Sequence, residues 1–227
     1  MDIPIIYEDN HLLVVEKPVN IPVQEDRSQD KDLLSLLKQD IKIRYQKPGN
    51  VYLGLVHRLD RPVGGVMVFA KTSKAASRLS DMVRRRVFEK NYLAIVRGRP
   101  AKAEGRLTDY LVKNRQKNIV YVTQSNHKEA KKAVLDYRVI GTKNDLSLVQ
   151  IQLHTGRSHQ IRVQFANIGC PLYGDQKYGQ HVNQPGEQIA LWSSEIKFQH
   201  PTKKDTRQFT STPPNVYPWH LWPHLWS

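Results

Sequence analysis

The chain of 227 residues is long enough to bury a substantial core, as one large domain or two small ones. Its 35 Lys and Arg against 21 Asp and Glu give a formal charge of +14, which makes a polyanion the leading candidate partner. The single cysteine, Cys170, excludes an internal disulfide and a multi-cysteine zinc site, and no apolar stretch approaches the roughly 20 residues of a membrane span.

In chain order, His11-Leu12-Leu13-Val14-Val15 predicts a short buried strand stopped by Lys17-Pro18. Asp32 is placed to cap a helix whose Leu33, Leu36, Leu37 and Ile41 recur at three-and-four spacing. Strands are predicted at 51–56 and 66–70. Ser73 then caps a second helix with Ala76, Leu79 and Val83 inward and Arg84-Arg85-Arg86 at its end, where cations suit the dipole. Further strands follow at Tyr92 to Val96, Ile119 to Thr123, Val134 to Ile140 and Leu146 to Leu153. Thr155 to Arg162 predicts a turn entering a helix capped by Ser158, with Ile161, Phe165 and Ile168 as its apolar face and Gly169 as its end. Many strands with few helices in no regular alternation give an α+β class, a mixed and largely antiparallel sheet flanked by helices. No repeat or linker cuts the chain, so residues 1–227 are expected to form a single domain with an aromatic tail at 213–227. That tail either packs back on the body or stacks on bases.

The positive charge is dispersed over Arg84 to Arg86, Lys113 to Lys117, Lys128 to Lys132 and Lys203-Lys204, so several parts of the fold are expected to line one backbone-binding groove. Met1-Asp2-Ile3-Pro4 has no basic region followed by an apolar core, and the cytoplasm is the expected compartment. The sharpest chemical signal is Asp60. It closes the run His57-Arg58-Leu59-Asp60 ahead of Arg61-Pro62 and Gly64-Gly65, in a loop between two apolar runs. Flanking arginines favour the ionised carboxylate and keep a nucleophile ready.

Four segments in order carry a family resemblance: His11 to Pro18, His57-Arg58-Leu59-Asp60, Lys90-Asn91-Tyr92-Leu93-Ala94, and His154 through Gly179 with His159-Gln160-Ile161-Arg162 at its centre. Together they resemble the RluA-type RNA pseudouridine synthases from about residue 5 to Pro201, and the chain is expected to be a minimal member with no S4-type RNA-binding domain before its first strand. The chain departs from the family at Val63-Gly64-Gly65, where Thr-Ser-Gly is frequent. It departs again at Val19-Asn20 after Lys17-Pro18, where Asn is the next-best residue after Gly for a positive φ.

The resemblance implies an isomerase with the pseudouridine synthase fold that converts uridine in structured rRNA or tRNA. No net redox change occurs, so no redox cofactor is expected; the nine histidines show neither a zinc-protease pattern nor cysteine partners, so no metal is expected, and no membrane or obligate protein partner either. By the same resemblance Asp60 is the nucleophile, Tyr92 the aromatic that stacks on uracil, and Arg162 the basic partner of the Asp. Arg58 is the residue that fills the gap left by a flipped uridine. His57, Arg61, Arg157, His159, Gln160 and Ile161 complete the expected RNA-contacting set, His57 being structural rather than an acid or base. The rival reading is a non-catalytic RNA-binding protein that retains the fold.

Overall fold

The computed structural model describes residues 3–26 and 28–223. Its elements in order are β1 (Ile5–Glu8), β2 (Leu12–Lys17), α1 (Leu33–Arg44), β3 (Gly54–Leu55), β4 (Gly64–Ala70), α2 (Ser73–Arg84), β5 (Glu89–Arg97), β6 (Glu104–Asn114) and β7 (Ile119–Thr123). They continue with β8 (Lys131–Lys143), β9 (Leu146–Leu153), α3 (Gln160–Asn167), β10 (Leu191–Gln199) and β11 (Thr206–Thr210), before a 3-10 turn at Trp219–Leu221. This is an α+β chain, as the irregular order of strand and helix patterns predicts. Two compact units divide it: Met1–Glu89 with Ser193–Ser211, and Lys90–Trp192 with Thr212–Ser227. Each unit is assembled from two separated stretches, which is why no single linker announces the division.

In the first unit β2 pairs antiparallel with β1 and β4, β3 adds to the far end of β4, and β11 pairs antiparallel with β10. All seven residues of β4 are buried, so it reads as a continuous apolar run rather than an alternation. Leu12, Val14, Val66, Val68 and Leu79 pack with Phe88, Ile196 and Phe198 into one core cluster. Asp32 caps α1 as its position predicts, its carboxylate accepting from Ser35 N at 3.0 Å. The cap of α2 is Thr72 rather than Ser73, because the Thr72 hydroxyl accepts from Ala75 N while Ser73 already lies inside the helix. The strand expected at 51–56 shrinks to Gly54–Leu55, and the strand expected to stop before Lys17 runs through it.

In the second unit the strand order is β5-β9-β8-β6-β7, every neighbour antiparallel. β6 escapes the sequence reading because its pattern, Glu104 to Asn114, is mostly polar and half-exposed, with Leu111 as its buried apolar contact. Leu111, Val120 and Ala133 form a cluster with Val163 of α3. Ser158 does not cap α3. His159 occupies the cap position with φ of 51°, and the Ser158 hydroxyl instead accepts from Lys113 Nζ. Ile161 and Phe165 are buried as expected, but Ile168 lies just past the helix and is 38% exposed. In the aromatic tail Trp219 and Trp222 are buried, and Trp222 lies against Gly141 of β8, so the described part of the tail packs on its own unit. His224, Leu225 and Trp226 lie outside the described residues.

Candidate active site

The Asp60 loop is positioned by the register of two strands. In the β2–β4 ladder Lys17 stands opposite Gly65, so the end of β2 lies beside the segment that connects Asp60 to β4. The Lys17 side chain is fully buried and donates to three carbonyls, Pro18 O at 2.9 Å, Arg61 O at 3.0 Å and Val63 O at 2.7 Å. Val63 N donates in turn to Asp60 O at 3.0 Å, closing a tight turn over Arg61-Pro62. The loop therefore needs no hydroxyl at Val63 or Gly64. Gly65 has φ of 115°, and a Cβ there would fall 2.3 Å from Ser193 O, so only glycine fits this approach to β10. Asn20 adopts φ of 65°, the turn its position predicts.

The charges around Asp60 differ from the sequence expectation. Arg61 points away and is committed to Asp30 at 2.5 Å, Ser28 Oγ at 3.0 Å and Asn20 O at 3.2 Å. Arg58 is exposed and has no hydrogen bond or ion pair among the described residues. The carboxylate is thus not clasped by its two flanking arginines. Within this unit Lys17 and Asp60 act on each other through their charges. Burial pushes the Lys17 ammonium down to about 7, against the opposing pull of Asp60. His57 is buried. Its Nε2 accepts from Val68 N at 3.1 Å where β3 leaves the β4 edge, and its ring packs on Phe88 at 5.5 Å, a structural placement.

Tyr92, on β5, and the α3 residues belong to the second unit. Tyr92 is 6% exposed and sits opposite Ile151 in the β5–β9 ladder. The turn that introduces α3 is tied by Gln160: its Oε1 accepts from Thr155 Oγ1 at 2.7 Å and Arg157 N at 3.0 Å, while Nε2 donates to Val134 O at 3.2 Å. Arg157 Nε donates to Lys132 O, His159 Nδ1 faces the Tyr178 hydroxyl at 2.7 Å, and Ile161 is buried. Arg162 is also buried. Its Nε and Nη2 grip both oxygens of Asp175 at 2.8 Å each, a bidentate geometry, and its guanidinium lies 5.3 Å from the centre of the Tyr178 ring. Burial works against the ionised Asp175, but Arg162 and the Lys177 and Tyr178 amides hold its carboxyl below the usual carboxylate range.

A family model described as RNA pseudouridylate synthase matches residues 11–167, a span that contains Asp60, Tyr92 and Arg162. The chain belongs to this family. An uncharacterized RNA pseudouridine synthase of Aquifex aeolicus is 34% identical over 232 residues, covering 96% of this chain and 72% of its own. The tRNA pseudouridine synthase C of Vibrio cholerae is 30% identical, with 87% and 85% covered. The ribosomal large subunit pseudouridine synthase C of Rickettsia bellii is 31% identical over 77% of this chain, which spans 56% of that longer relative. The solved human RNA Pseudouridylate Synthase Domain Containing 4 superposes with a TM-score of 0.77 over 93% of this chain and 88% of its own at 22% identity, which establishes the pseudouridine synthase fold. The RluA-type resemblance read from the motifs is thereby met, and membership places the synthase among isomerases of uridine in RNA. Among the described residues no helix is long and apolar enough to cross a membrane.

Three residues of the synthase carry no role in the sequence reading: Lys17, which ties the Asp60 loop in the first unit, and Asp175 and Tyr178, which surround Arg162 in the second. All three stand inside the recognised segments, Lys17 before Pro18, Asp175 after Gly174 and Tyr178 before Gly179. The signal was their presence in the motif; their roles emerge only when the chain folds.

Proposed function

We propose that this chain converts uridines of structured rRNA or tRNA to pseudouridine, with Asp60 as nucleophile, Tyr92 stacked on the uracil, and Arg162 as the basic group that keeps the site electrically matched to a carboxylate. The N1–C1′ bond breaks, the base turns, and a C5–C1′ bond forms; the hydrogen at C5 leaves and N1 takes a proton, so the reaction is balanced without an oxidant. Asp60 adds at the ribose C1′ or to the uracil ring. Extracting a uridine from a helix costs a few kcal/mol. The exposed Arg58, two residues before Asp60 and unpartnered among the described residues, is suited to stack in the vacated position.

The observation that carries this reading is the architecture of the Asp60 loop: a buried lysine dedicates its donors to the carbonyls around one carboxylate, inside the span that matches the family. The arrangement holds the acid in one place without a hydroxyl from the loop. The test is Asp60→Asn, which keeps shape and removes the charge. RNA binding is expected to stay within about twofold and uridine conversion to fall by at least a thousandfold; conversion within tenfold of the parent rejects Asp60 as nucleophile. Free uracil among the products would turn the reading toward a glycosylase, and RNA binding by the parent with no conversion of any uridine toward a non-catalytic binder.

A further inference from the structure

Lys90 stands on β5, two residues before Tyr92. Side chains two apart on a strand share a face and are separated by roughly 6.6 Å along it, on the scale of one nucleotide. The β5–β9 ladder reaches Asn91–Gln152, so Lys90 sits one step beyond that pair, where the chain leaving β9 turns through Thr155-Gly156-Arg157 toward α3. Its ammonium is seated over Gly156: a Cβ built there would lie 3.2 Å from Lys90 Nζ. Lys90 is half-buried, yet among the described residues its ammonium has neither a hydrogen bond nor an ion pair. Burial also lowers its pKa from the ordinary lysine value, with no carboxylate to offset the effect. Next to Gly156, Arg157 carries a second positive charge whose hydrogen bond is to a neutral carbonyl, Lys132 O.

Two cations without a carboxylate, one of them partly desolvated, flank a backbone that carries no side chain. The surrounding turn is already closed by Gln160 and Thr155, so it presents a rigid edge. An anion that approaches Gly156 would meet an ammonium in an environment of reduced dielectric, where a charge-assisted hydrogen bond is worth more than at an open surface. We propose that Lys90 binds a phosphodiester that flanks the target uridine, holding the nucleotide's backbone while its base stacks on Tyr92. This rests on the proposed role of Tyr92 and adds to it a backbone anchor. Lys90 is in this role a binding residue for substrate; it takes no proton in the reaction.

The test uses the full chain and a stem-loop RNA with a uridine that the parent converts. In two further copies of that RNA, the phosphate on the 5′ or the 3′ side of the uridine is replaced by an uncharged methylphosphonate. The parent is expected to lose about tenfold to thirtyfold in affinity on one of these two substituted RNAs. Lys90→Met is expected to lose a similar factor on the unmodified RNA and little more on that substituted one, and its log–log salt slope is expected to fall by about one. Lys90→Arg, which keeps the charge, is expected to restore most of the slope. A parent indifferent to both methylphosphonates overturns the proposal even if the Met variant fails to fold. Equal losses by Lys90→Met on all three RNAs also overturn it and leave Lys90 a structural residue. Binding is measured in an Asp60→Asn background as well, so that a failure of the catalytic reading and a failure of the phosphate contact are seen separately.

Discussion

Replacing Lys17 by Met keeps a long unbranched stem in the core and removes the ammonium that ties the Asp60 loop. Three carbonyls, those of Pro18, Arg61 and Val63, then lose their donor in a place where the lysine side chain has no exposure. Each orphaned buried carbonyl is worth about 1–3 kcal/mol, and the offset is the relief of the ammonium's own desolvation, several kcal/mol per buried ion. The net loss expected at pH 7 is about 3 kcal/mol, a melting temperature lower by roughly 6–12 °C for a chain of this length. The pH dependence provides a second check. Burial pushes Lys17 down to about 7 in the folded chain from an ordinary lysine value of about 10.5, so between those values the unfolded chain binds more protons than the folded one. Stability from this group is complete above the unfolded pKa and is lost as pH falls through the folded one. From pH 7 to 9 the parent therefore gains on Lys17→Met by on the order of 2 kcal/mol, at about 1.4 kcal/mol per proton and pH unit. Urea titrations of both proteins at the two pH values measure this. A variant within about 0.5 kcal/mol of the parent at both, the range of an ordinary surface change, refutes the assignment of Lys17 as the loop's anchor.

Asp175→Asn removes the charge that orients Arg162, and breaking such a buried pair is expected to destabilise the protein by about 3–5 kcal/mol at neutral pH, read from urea titration. Because the folded pKa of Asp175 is depressed, its contribution is present above the ordinary carboxylate range and fades as pH falls, so the gap between parent and variant should narrow in acid; a gap that widens refutes the pairing. Gly141→Ala places a methyl 2.3 Å from Trp222 Nε1, and is expected to cost about 1–3 kcal/mol through overpacking. Combined with Trp222→Ala the alanine should add little further loss; strictly additive melting-temperature losses would show that the tail does not rest on this glycine.

Local patterns determined much of this protein. The stripe of Leu33, Leu37 and Ile41, the Asp32 cap, the apolar run of β4 and the strands Ile119–Thr123 and Leu146–Leu153 were legible, because each depends on neighbours a few positions away, and the motif segments around Asp60, Tyr92 and Arg162 carried the family. The polar strand β6 was not, since its pairing with β7 and β8 gives it order that its own alternation hardly signals. The electrostatics of the candidate site were decided by tertiary structure. Asp60 lies between two arginines in the chain, but one is exposed and the other turns to Asp30, while the lysine that reaches the loop comes from a strand 46 residues before Val63. Arg162 likewise meets Asp175 through a fold-back of 13 residues. Strand register brings such groups within hydrogen-bond reach. Register is set by which faces are buried across the whole sheet, a property that no short stretch of sequence contains.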